Sequence, residues 1–419
     1  MIPMLEKYKE RWQVESDRAI KPGLEAMETA LRKLNNPEKR LRYVHFAGTN
    51  GKGSTLTFVE QIACQHGVTV GKFMSPCVLD VHDQIQINGE NISPAQLDGI
   101  FQQFQEAGLS GTLTDFELLT CAAFLHFAEQ QVDLVLLEAG MGGRLDSTNV
   151  IVPIVSVIPS IALEHTNFLG DTIEQIAYHK AGIIKQNKPV VTGQLPAEAK
   201  QIIVNEAIAN QAELQMLHEQ FTVENKEDGE VYKHVEWNVE IDKLHRKLLG
   251  AHQADNMSLA ITAFYHVAKE LQLEVHPEKI REAIGLALVP GRFEEVMPQI
   301  YFDGAHNPAS IQALCTMLES EFQGKEIHII LGMLADKDVK QVLTMLEPLA
   351  TKLSFIDVAN ERAMSAQEIF ALSNHENKEI IVNIIDILRE EVPENTVRIV
   401  TGSLYLLADI RNQLEMREK

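Results

Sequence analysis

The sequence predicts an α/β protein with two domains, and three observations support this. Residues 41–193 alternate short apolar segments with longer amphipathic segments. Strands that are apolar on both faces and alternate with helices are typical of a parallel sheet covered by helices on both sides. The same alternation begins again after residue 298, and the segment before it, VPGRFEEVMP, has two prolines and one glycine that interrupt the pattern. We therefore expect a larger domain over residues 1–293 and a smaller one over residues 294–419.

In the first domain, apolar runs predict the strands and amphipathic runs predict the helices. Strands are predicted at 41–48, 68–74, 132–140, 151–160 and 189–193, and helices at 52–66, 116–131, 172–185, 253–271 and 277–288. Residues 221–244 alternate polar and apolar side chains around an Asp-Gly pair, which predicts an antiparallel hairpin on an edge of the sheet. The first domain is thus expected to hold a mostly parallel sheet with a small antiparallel edge.

The second domain repeats the α/β pattern on a smaller scale. Its strands are predicted at 299–308, 326–334, 352–358 and 396–402, and its last helix at 403–418. Helices are expected after the first two strands, and two helix-like segments follow the third. This domain has a size within the usual range for an independent α/β unit.

Composition limits the possible functions. With 45% hydrophobic and 23% charged residues, the 419-residue chain has the composition of a globular protein. Its 37 basic and 59 acidic residues give a formal charge of −22, which argues against a nucleic acid or an anionic membrane as partner. The N-terminus does not resemble a secretory signal, and no run of about eighteen apolar residues occurs. We therefore expect a cytoplasmic monomer that acts on small molecules.

The four cysteines, Cys64, Cys77, Cys121 and Cys315, lie far apart in the chain. They form no C-x-x-C pair, so neither a disulfide framework nor a cysteine metal site is indicated.

The stretch HFAGTNGKGST, residues 45–55, departs from the usual phosphate-loop pattern G-x-x-x-x-G-K-[ST]. Phe46 stands where that pattern has glycine, and Gly53 follows Lys52 where Ser or Thr is expected. Nevertheless, glycines between a buried strand and a helix allow backbone N–H groups to surround phosphate, and a lysine adds charge. The residues alone favour nucleotide binding over an ordinary glycine-rich turn.

Glu138 is a candidate metal ligand because of its place in the predicted sheet. It ends a wholly apolar strand and is followed by the loop AGMGGRLDSTN. Ligands of open α/β sheets bind at the carboxyl ends of the strands, and Mg²⁺ prefers oxygen ligands. A solvent-facing glutamate at a strand end is the alternative interpretation.

Several segments, taken in order, resemble the folylpolyglutamate and dihydrofolate synthases of the Mur-ligase superfamily. They are KPGLEAMETALRKLNNPEKRLRYVHFAGTNGKGST, LEAGMGGRLDSTN, EHTNFLGDTIEQIAYHKAGIIK, GAHQADNMSLA, PGRFE, YFDGAHNP and TGSLYLLADIR. Together these motifs span nearly the whole chain, so the resemblance is far more specific than one loop. It implies an ATP-binding Mur-ligase-like domain followed by a glutamate-ligase domain.

The resemblance also implies roles for individual residues. The residues expected to bind ATP are Thr49, Asn50, Gly51, Lys52, Gly53, Ser54, Asn256, Arg292 and Asp303. The expected Mg²⁺ ligands are Ser75, Glu138 and His165, and Ser75, Asp83 and Ser403 are expected to contact substrate. Lys52, Lys180 and His306 are expected to be catalytic, with Lys180 carbamylated, as the matching lysine is in the family.

Each of these positions also has an ordinary structural interpretation. Lys180 would by default extend to solvent, and His306 would be a loop histidine. Asn256 would cap a helix, and Arg292 with Asp303 would form an ion pair. The match to the family favours the functional interpretation in each case.

The chain departs from the family pattern mainly at residues 73–89. Met74, Cys77, Asp83 and Gln84 replace the usual residues there, while Glu164 and His179 replace the usual Asp and Glu elsewhere. The ligase chemistry is therefore more strongly indicated than the pterin specificity.

We expect an ATP-dependent ligase that adds L-glutamate to the γ-carboxylate of a folyl-glutamate, with dihydropteroate as a second acceptor to be tested. Phosphoryl transfer to the carboxylate followed by attack of an amine accounts for a phosphate loop and a metal site together. The alternatives are a Mur-type ligase with another carboxylate acceptor and a non-catalytic paralogue that binds folate or nucleotide.

Overall fold

The computed structural model describes residues 2–17, 23–77 and 80–418, and these fall into two compact units. Unit 1 comprises Met1–Lys247 with Gln253–Ala287, and unit 2 comprises Leu248–His252 with Leu288–Lys419. The chain therefore enters the smaller unit briefly at residues 248–252 and passes to it for the last time between residues 287 and 288, whereas the sequence places the boundary between 293 and 294.

Unit 1 is built from alternating helices and strands, as the hydrophobic pattern predicts. Its helices are α1 (Leu5–Trp12), α2 (Glu25–Lys33), α3 (Lys52–Gln65), α4 (Pro94–Glu106), α5 (Asp115–Glu129), α6 (Thr166–Leu169), α7 (Ile173–Ala181), α8 (Ala197–Ala209), α9 (Ala251–Leu271) and α10 (Pro277–Leu286). Its strands are β1 (Tyr43–Phe46), β2 (Val70–Phe73), β3 (Ile85–Ile87), β4 (Glu90–Asn91), β5 (Leu134–Glu138), β6 (Val155–Ile158), β7 (Val190–Thr192), β8 (Leu214–Met216), β9 (Phe221–Lys226), β10 (Gly229–His234) and β11 (Val239–Leu244).

The main sheet of unit 1 has eight strands in the order β4-β3-β2-β5-β1-β6-β7-β8. Strands β2, β5, β1, β6, β7 and β8 run parallel, and β3 and β4 add an antiparallel edge. All residues of the central strands β1, β2, β5 and β6 are buried. This confirms the predicted fold class and places the carboxyl ends of these four strands along one edge.

The location predicted for residues 221–244 is wrong. They form an antiparallel sheet of three strands, β11-β10-β9, which is separate from the main sheet. Strand β10 lies in the centre of this sheet. It forms a hairpin with β9 and pairs on its other side with β11, which follows it in the chain. The antiparallel edge of the main sheet is instead the short pair β3 and β4.

Unit 2 contains a six-stranded sheet in the order β12-β13-β17-β14-β15-β16. Its strands are β12 (Glu294–Met297), β13 (Ile300–Phe302), β14 (Glu326–Leu331), β15 (Lys352–Phe355), β16 (Lys378–Ile380) and β17 (Thr396–Thr401). Its helices are α11 (Pro308–Glu321), α12 (Val339–Leu346), α13 (Ala366–Leu372), α14 (Ile384–Arg389) and α15 (Leu404–Glu418). Only β12 is antiparallel to its neighbour.

The unit 2 sheet is buried on both faces. Along β14, Ile329 and Leu331 belong to one hydrophobic cluster and Ile330 to another. Since alternate residues of a strand point to opposite faces, helices cover both sides of this sheet. No described helix has the length and apolar character that a membrane span requires.

Candidate active site

The loop between β1 and α3 has the geometry of an anion-binding helix start. Gly51 is the N-cap residue of α3 and adopts a φ of 86°, a left-handed conformation that glycine tolerates best. A Cβ atom at Gly51 would lie 2.5 Å from Asn256 Oδ1, so a larger residue does not fit there. Glycine has no side chain with which to cap the helix, and α3 has no side-chain cap hydrogen bond. Helix starts of this kind can bind an anion.

The segment after β6 fixes the shape of this loop. Thr49 N–H donates to the Ser160 carbonyl at 2.9 Å, and Asn50 N–H donates to Ser160 Oγ at 2.9 Å. Thr49 Oγ1 donates to the Ala162 carbonyl at 3.1 Å and accepts from Ala162 N–H at 3.0 Å. The predicted ATP residues Thr49 and Asn50 are therefore also structural, since they join the loop to the neighbouring strand end.

Lys52, the first residue of α3, reaches back over the loop toward Glu138. Its Nζ donates to the Gly48 carbonyl at 2.9 Å and lies 3.6 Å from Glu138 Oε1. Glu138 ends β5, pairs in register with Phe46 of β1, and is 6% exposed. The parallel register of β1 and β5 thus brings Lys52 and the candidate metal ligand Glu138 together.

Asn256 lies against the same loop. Its Oδ1 accepts from Thr55 Oγ1 at 3.3 Å, and its Nδ2 donates to Gln253 Oε1 at 3.0 Å. Asn256 is buried near the start of α9, within unit 1. Its contacts join α9 to α3, and Gln253, which was not predicted as a site residue, holds its amide in place.

Lys180 is a buried lysine whose amine is influenced by the charge of Lys52. It lies on α7 and is 2% exposed. Burial and then the charge of Lys52 lower the pKa of Lys180 to about 7, although Glu164 and Asp146 act in the opposite direction. At neutral pH a large fraction of this amine is therefore uncharged. The alternative interpretation, a lysine that extends to solvent, does not fit a side chain that is buried.

Asp146 shapes the glycine-rich loop after β5. It accepts from the N–H groups of Met141 at 2.8 Å and Thr148 at 3.0 Å, and from Thr148 Oγ1. Thr148 Oγ1 in turn lies 2.9 Å from His45 Nε2, inside the sheet. Burial raises the pKa of Asp146, while these hydrogen bonds and that of Gly140 N–H lower it.

Gly143 allows α7 to approach this loop closely. A Cβ atom there would lie 3.0 Å from the His179 carbonyl and 3.2 Å from the Lys180 carbonyl. Neither Asp146 nor Gly143 was predicted as a site residue, although both belong to the motif LEAGMGGRLDSTN.

The other candidate metal and substrate residues of unit 1 lie on separate loops. Ser75 follows β2, His165 follows β6 and precedes α6, and Asp83 lies in a short 3-10 turn before β3. Strands β2, β5, β1 and β6 are consecutive neighbours, so Ser75, Glu138 and His165 belong to the same edge of the sheet. Among the described residues, however, no three His, Cys, Asp or Glu side chains form a metal-binding group.

Unit 2 places Asp303 and His306 in the loop after β13. Asp303 accepts from the N–H groups of Phe293 at 3.0 Å and Ala305 at 2.9 Å. Burial raises the pKa of Asp303, and the neighbouring Arg292 opposes this shift. His306 Nδ1 lies 2.8 Å from the Gly304 carbonyl, which can only accept, so Nδ1 carries the proton and Nε2 is the basic nitrogen.

Ser403 lies beside this loop at the end of β17. Its Oγ accepts from Tyr405 N–H at 3.2 Å, so it caps the start of α15. The Ala305 carbonyl accepts from Gly402 N–H at 3.0 Å and from Thr401 Oγ1 at 3.3 Å. The two unit 2 motifs, DGAHNP and TGSLY, are therefore hydrogen-bonded to each other at adjacent strand ends.

The sequence matches two family profiles that cover most of the chain. They are the Mur ligase middle domain, at residues 46–264, and the Mur ligase glutamate ligase domain, at residues 291–404. The chain is 36% identical to the dihydrofolate synthase/folylpolyglutamate synthase of Bacillus subtilis over 411 residues, which cover 94% of this chain and 96% of that protein.

Two solved structures show the same fold over nearly the whole chain. E. coli FolC in complex with DHPP and ADP is 26% identical, with a TM-score of 0.90, and the match covers 99% of this chain and 98% of that one. Mycobacterium tuberculosis folylpolyglutamate synthase complexed with ADP and AMPPCP is 27% identical, with a TM-score of 0.82, and the match covers 94% and 95%. The chain therefore belongs to the Mur ligase family and, within it, to the ATP-dependent ligases of the dihydrofolate synthase/folylpolyglutamate synthase group.

Proposed function

We propose that this chain uses ATP to add L-glutamate to the γ-carboxylate of a tetrahydrofolyl-glutamate, and that it also joins L-glutamate to dihydropteroate. The observation that carries the proposal is the position of Lys52 in the phosphate loop. Its Nζ lies 3.6 Å from Oε1 of Glu138, which ends β5, the neighbour of β1 in the sheet. This arrangement suits a nucleotide and a cation at one edge of the sheet. The full-length similarity to folylpolyglutamate and dihydrofolate synthases supports the acceptor.

The reaction proceeds in two displacements. A carboxylate oxygen of the acceptor attacks the γ-phosphorus of ATP, and the bond to ADP breaks. The amine of glutamate then attacks the acyl carbon, phosphate leaves, and the amine loses a proton as the amide forms. Charge develops on the transferring phosphoryl group, so positioning and electrostatic stabilisation carry the rate.

The residues proposed to bind the nucleotide are those that the resemblance to the family indicates. The N–H groups of residues 51–54 and the Lys52 ammonium bind the phosphates, and Asn256 holds the loop from α9. In unit 2, Arg292 adds positive charge for the phosphates, and Asp303 is an acceptor for the nucleotide. Thr49 and Asn50 keep the loop in its binding conformation.

Ligases of this family use ATP with a divalent metal, and the residues at the strand edge fit Mg²⁺. Glu138 supplies a buried carboxylate, Ser75 a hydroxyl and His165 an imidazole. The described part of the chain has no group of three acidic, histidine or cysteine side chains that could hold a metal ion. Mg²⁺ commonly binds through one or two protein ligands and keeps water and phosphate oxygens as the others. The ion would neutralise phosphate charge during transfer.

Lys180 is proposed to carry a carbamate. A neutral amine attacks CO₂, a C–N bond forms, and one proton is released, which leaves an anion in place of a cation. The pKa of about 7 makes the neutral amine available, and the new negative charge would remove the repulsion between Lys180 and Lys52. The ¹³C spectrum of the protein in ¹³CO₂ tests this, because a carbamate signal is expected in the wild type and not in Lys180→Arg.

His306 and Ser403 are proposed to bind the incoming glutamate. His306 Nε2 is the basic nitrogen and can accept the proton that the amine loses. Ser403 presents a hydroxyl from the adjacent strand end. Asp83 is proposed to contact the acceptor from the loop before β3. The monomeric state and the cytoplasmic location stay predictions.

The experiment that tests the proposed function compares acceptors. ADP release is measured with L-glutamate and, in separate reactions, tetrahydrofolyl-glutamate, dihydropteroate and a cell-wall precursor, and the products are identified by mass spectrometry. We expect L-glutamate to be added to the two pteridine acceptors and no reaction in Lys52→Gln. Reaction only with the cell-wall precursor favours the Mur-type alternative, and binding without ADP release favours the non-catalytic paralogue.

A further inference from the structure

Glu60 and Lys72 form a buried ion pair between helix α3 and strand β2. Lys72 Nζ donates to Glu60 Oε2 at 2.6 Å. Glu60 is 1% exposed and Lys72 is 8% exposed. Both residues lie in unit 1, and neither belongs to the phosphate loop or to the candidate metal ligands.

Glu60, the residue of the pair that lies on α3, is on the same helix as Lys52 of the phosphate loop. Glu60 lies eight residues beyond Lys52 on α3, about 12 Å along the helix axis at 1.5 Å per residue. A rotation or shift of α3 at Glu60 therefore moves Lys52 and the N–H groups of the first turn by a comparable amount.

The strand end of the pair leads to the candidate metal ligands. Lys72 pairs in register with Leu136 of β5, and Glu138 follows two residues later. In its own strand, Lys72 is followed by Phe73, which ends β2, and by the loop that carries Ser75. The ion pair thus connects the helix of the phosphate loop with the two strands that carry Glu138 and Ser75.

Stability alone does not account for this pair. Removing two charges from water costs about as much free energy as their attraction returns, so apolar residues of similar volume would serve as well. In addition, Glu60 Oε1 is buried and has no hydrogen-bond partner in the described part of the chain, which is unfavourable. A charge-assisted hydrogen bond is directional, however, whereas the contact of two apolar side chains is not. The ion pair can therefore fix the rotation of α3 about its axis and its distance from the sheet.

We propose that Glu60 and Lys72 are positioning residues for nucleotide binding. Their ion pair holds α3 so that Lys52 and the first N–H groups of the helix face the strand end at which Glu138 lies. The inference rests on the proposed nucleotide site and is independent of the acceptor. Loss of the pair weakens nucleotide binding and leaves the binding of L-glutamate unchanged, since the residues proposed for glutamate lie in unit 2.

The test measures Kd for AMPPCP with Mg²⁺, by calorimetry, in Glu60→Leu/Lys72→Met. We expect Kd to rise about tenfold, because small displacements of binding groups weaken binding by such factors. The melting temperature is expected to stay the same or rise, because apolar residues can replace a buried ion pair without loss of stability. KM for L-glutamate is expected to change less than about twofold. The swapped variant Glu60→Lys/Lys72→Glu restores an ion pair and is expected to recover part of the affinity.

A matched control removes an exposed pair from the same unit. Lys226 Nζ lies 2.7 Å from Glu224 Oε2 on β9, and Glu224→Leu/Lys226→Met is expected to leave the Kd for AMPPCP unchanged. Should the buried double variant fail to fold, Glu60→Gln keeps the shape and the hydrogen bond from Lys72 but removes the charge. It is expected to weaken AMPPCP binding by a smaller factor.

The positioning role is overturned if a folded variant, apolar or glutamine, binds AMPPCP as the wild type does. A lower melting temperature with unchanged affinity also overturns it, because the pair is then purely structural. Failure of the proposed function has a different signature. The wild type would release no ADP with any folate acceptor, while the AMPPCP measurements would still report on the ion pair.

Discussion

Lys52 Nζ, at the start of α3, lies 3.6 Å from Glu138 Oε1, at the end of β5. In the chain without nucleotide, the carboxylate balances part of the lysine charge. A bound phosphate would attract Lys52, and a divalent cation would attract Glu138. Each ligand would thus interact with one residue of the pair. In the proposed site, the pair would therefore link phosphate binding to metal binding.

Glu138→Gln should change AMPPCP binding in opposite directions with and without metal. Without metal, Lys52 loses its counter-charge and attracts phosphate more strongly, so affinity rises. With Mg²⁺, the variant lacks the carboxylate proposed for the cation, so affinity falls and kcat decreases about 10²- to 10³-fold. Calorimetry in EDTA and in Mg²⁺ makes the comparison.

Glu198→Gln, in the first turn of α8, serves as the control for Glu138→Gln. It changes the net charge equally and should affect neither measurement. Equal weakening of AMPPCP binding by Glu138→Gln in both buffers would contradict the link between the two ligands.

Gly51→Ala should abolish tight nucleotide binding, and Gly67→Ala should not. Both glycines have a positive φ, 86° and 81°, so either substitution strains the backbone and costs about 1 kcal/mol. A Cβ atom at Gly51 also collides with Asn256 Oδ1, whereas a Cβ atom at Gly67 meets nothing within 4 Å. We expect both variants to lose stability in denaturant unfolding, Gly51→Ala more because of the collision, but a higher Kd for AMPPCP only in Gly51→Ala. Equal affinities in the two variants would contradict the role of the loop.

Local pattern was sufficient to predict most of the main sheet and the glycine-rich connection between β1 and α3. The strands ending at Phe46 and Glu138 are short, mostly apolar runs with turn residues after them, and they form as predicted. The short strand Leu214–Met216 was not assigned, because three residues carry too little periodicity to distinguish a strand from a loop.

Other features depend on contacts between distant parts of the chain. The contact of Ser160 with the phosphate loop joins residues 110 apart, and the ion pair of Glu60 with Lys72 needs the packing of α3 on β2. No local pattern contains this information. The three-stranded sheet is a similar case, since its alternation predicts strands but not the sheet to which they belong.

Lys180→Met should stabilise the chain below pH 7 and have little effect near pH 10.5. Burial, followed by the Lys52 charge, lowers the folded-state pKa of Lys180 from 10.5 to about 7, so the unfolded chain binds the extra proton between these values. The resulting penalty, on the order of a few kcal/mol, is complete below pH 7 and disappears as the pH rises to 10.5.

Chemical unfolding of both proteins at several pH values, in CO₂-free buffer, measures this difference. Lys7→Met, at an exposed position on α1, is the control and should show no such trend. A stability difference that is constant with pH would show that Lys180 titrates as an ordinary lysine.

Ser310→Ala should impair glutamate use as well as stability. Ser310 Oγ accepts from the N–H groups of His306 and Asn307, both at 3.1 Å, so it fixes the loop that carries the proposed glutamate-binding histidine. Ser365→Ala removes a comparable helix cap from α13, away from that loop. Each substitution should cost about 1 kcal/mol in denaturant unfolding, but only Ser310→Ala should raise KM for L-glutamate several-fold with KM for ATP unchanged. If the two variants have the same KM for L-glutamate, the hydroxyl of Ser310 only caps its helix, and the position of His306 does not depend on it.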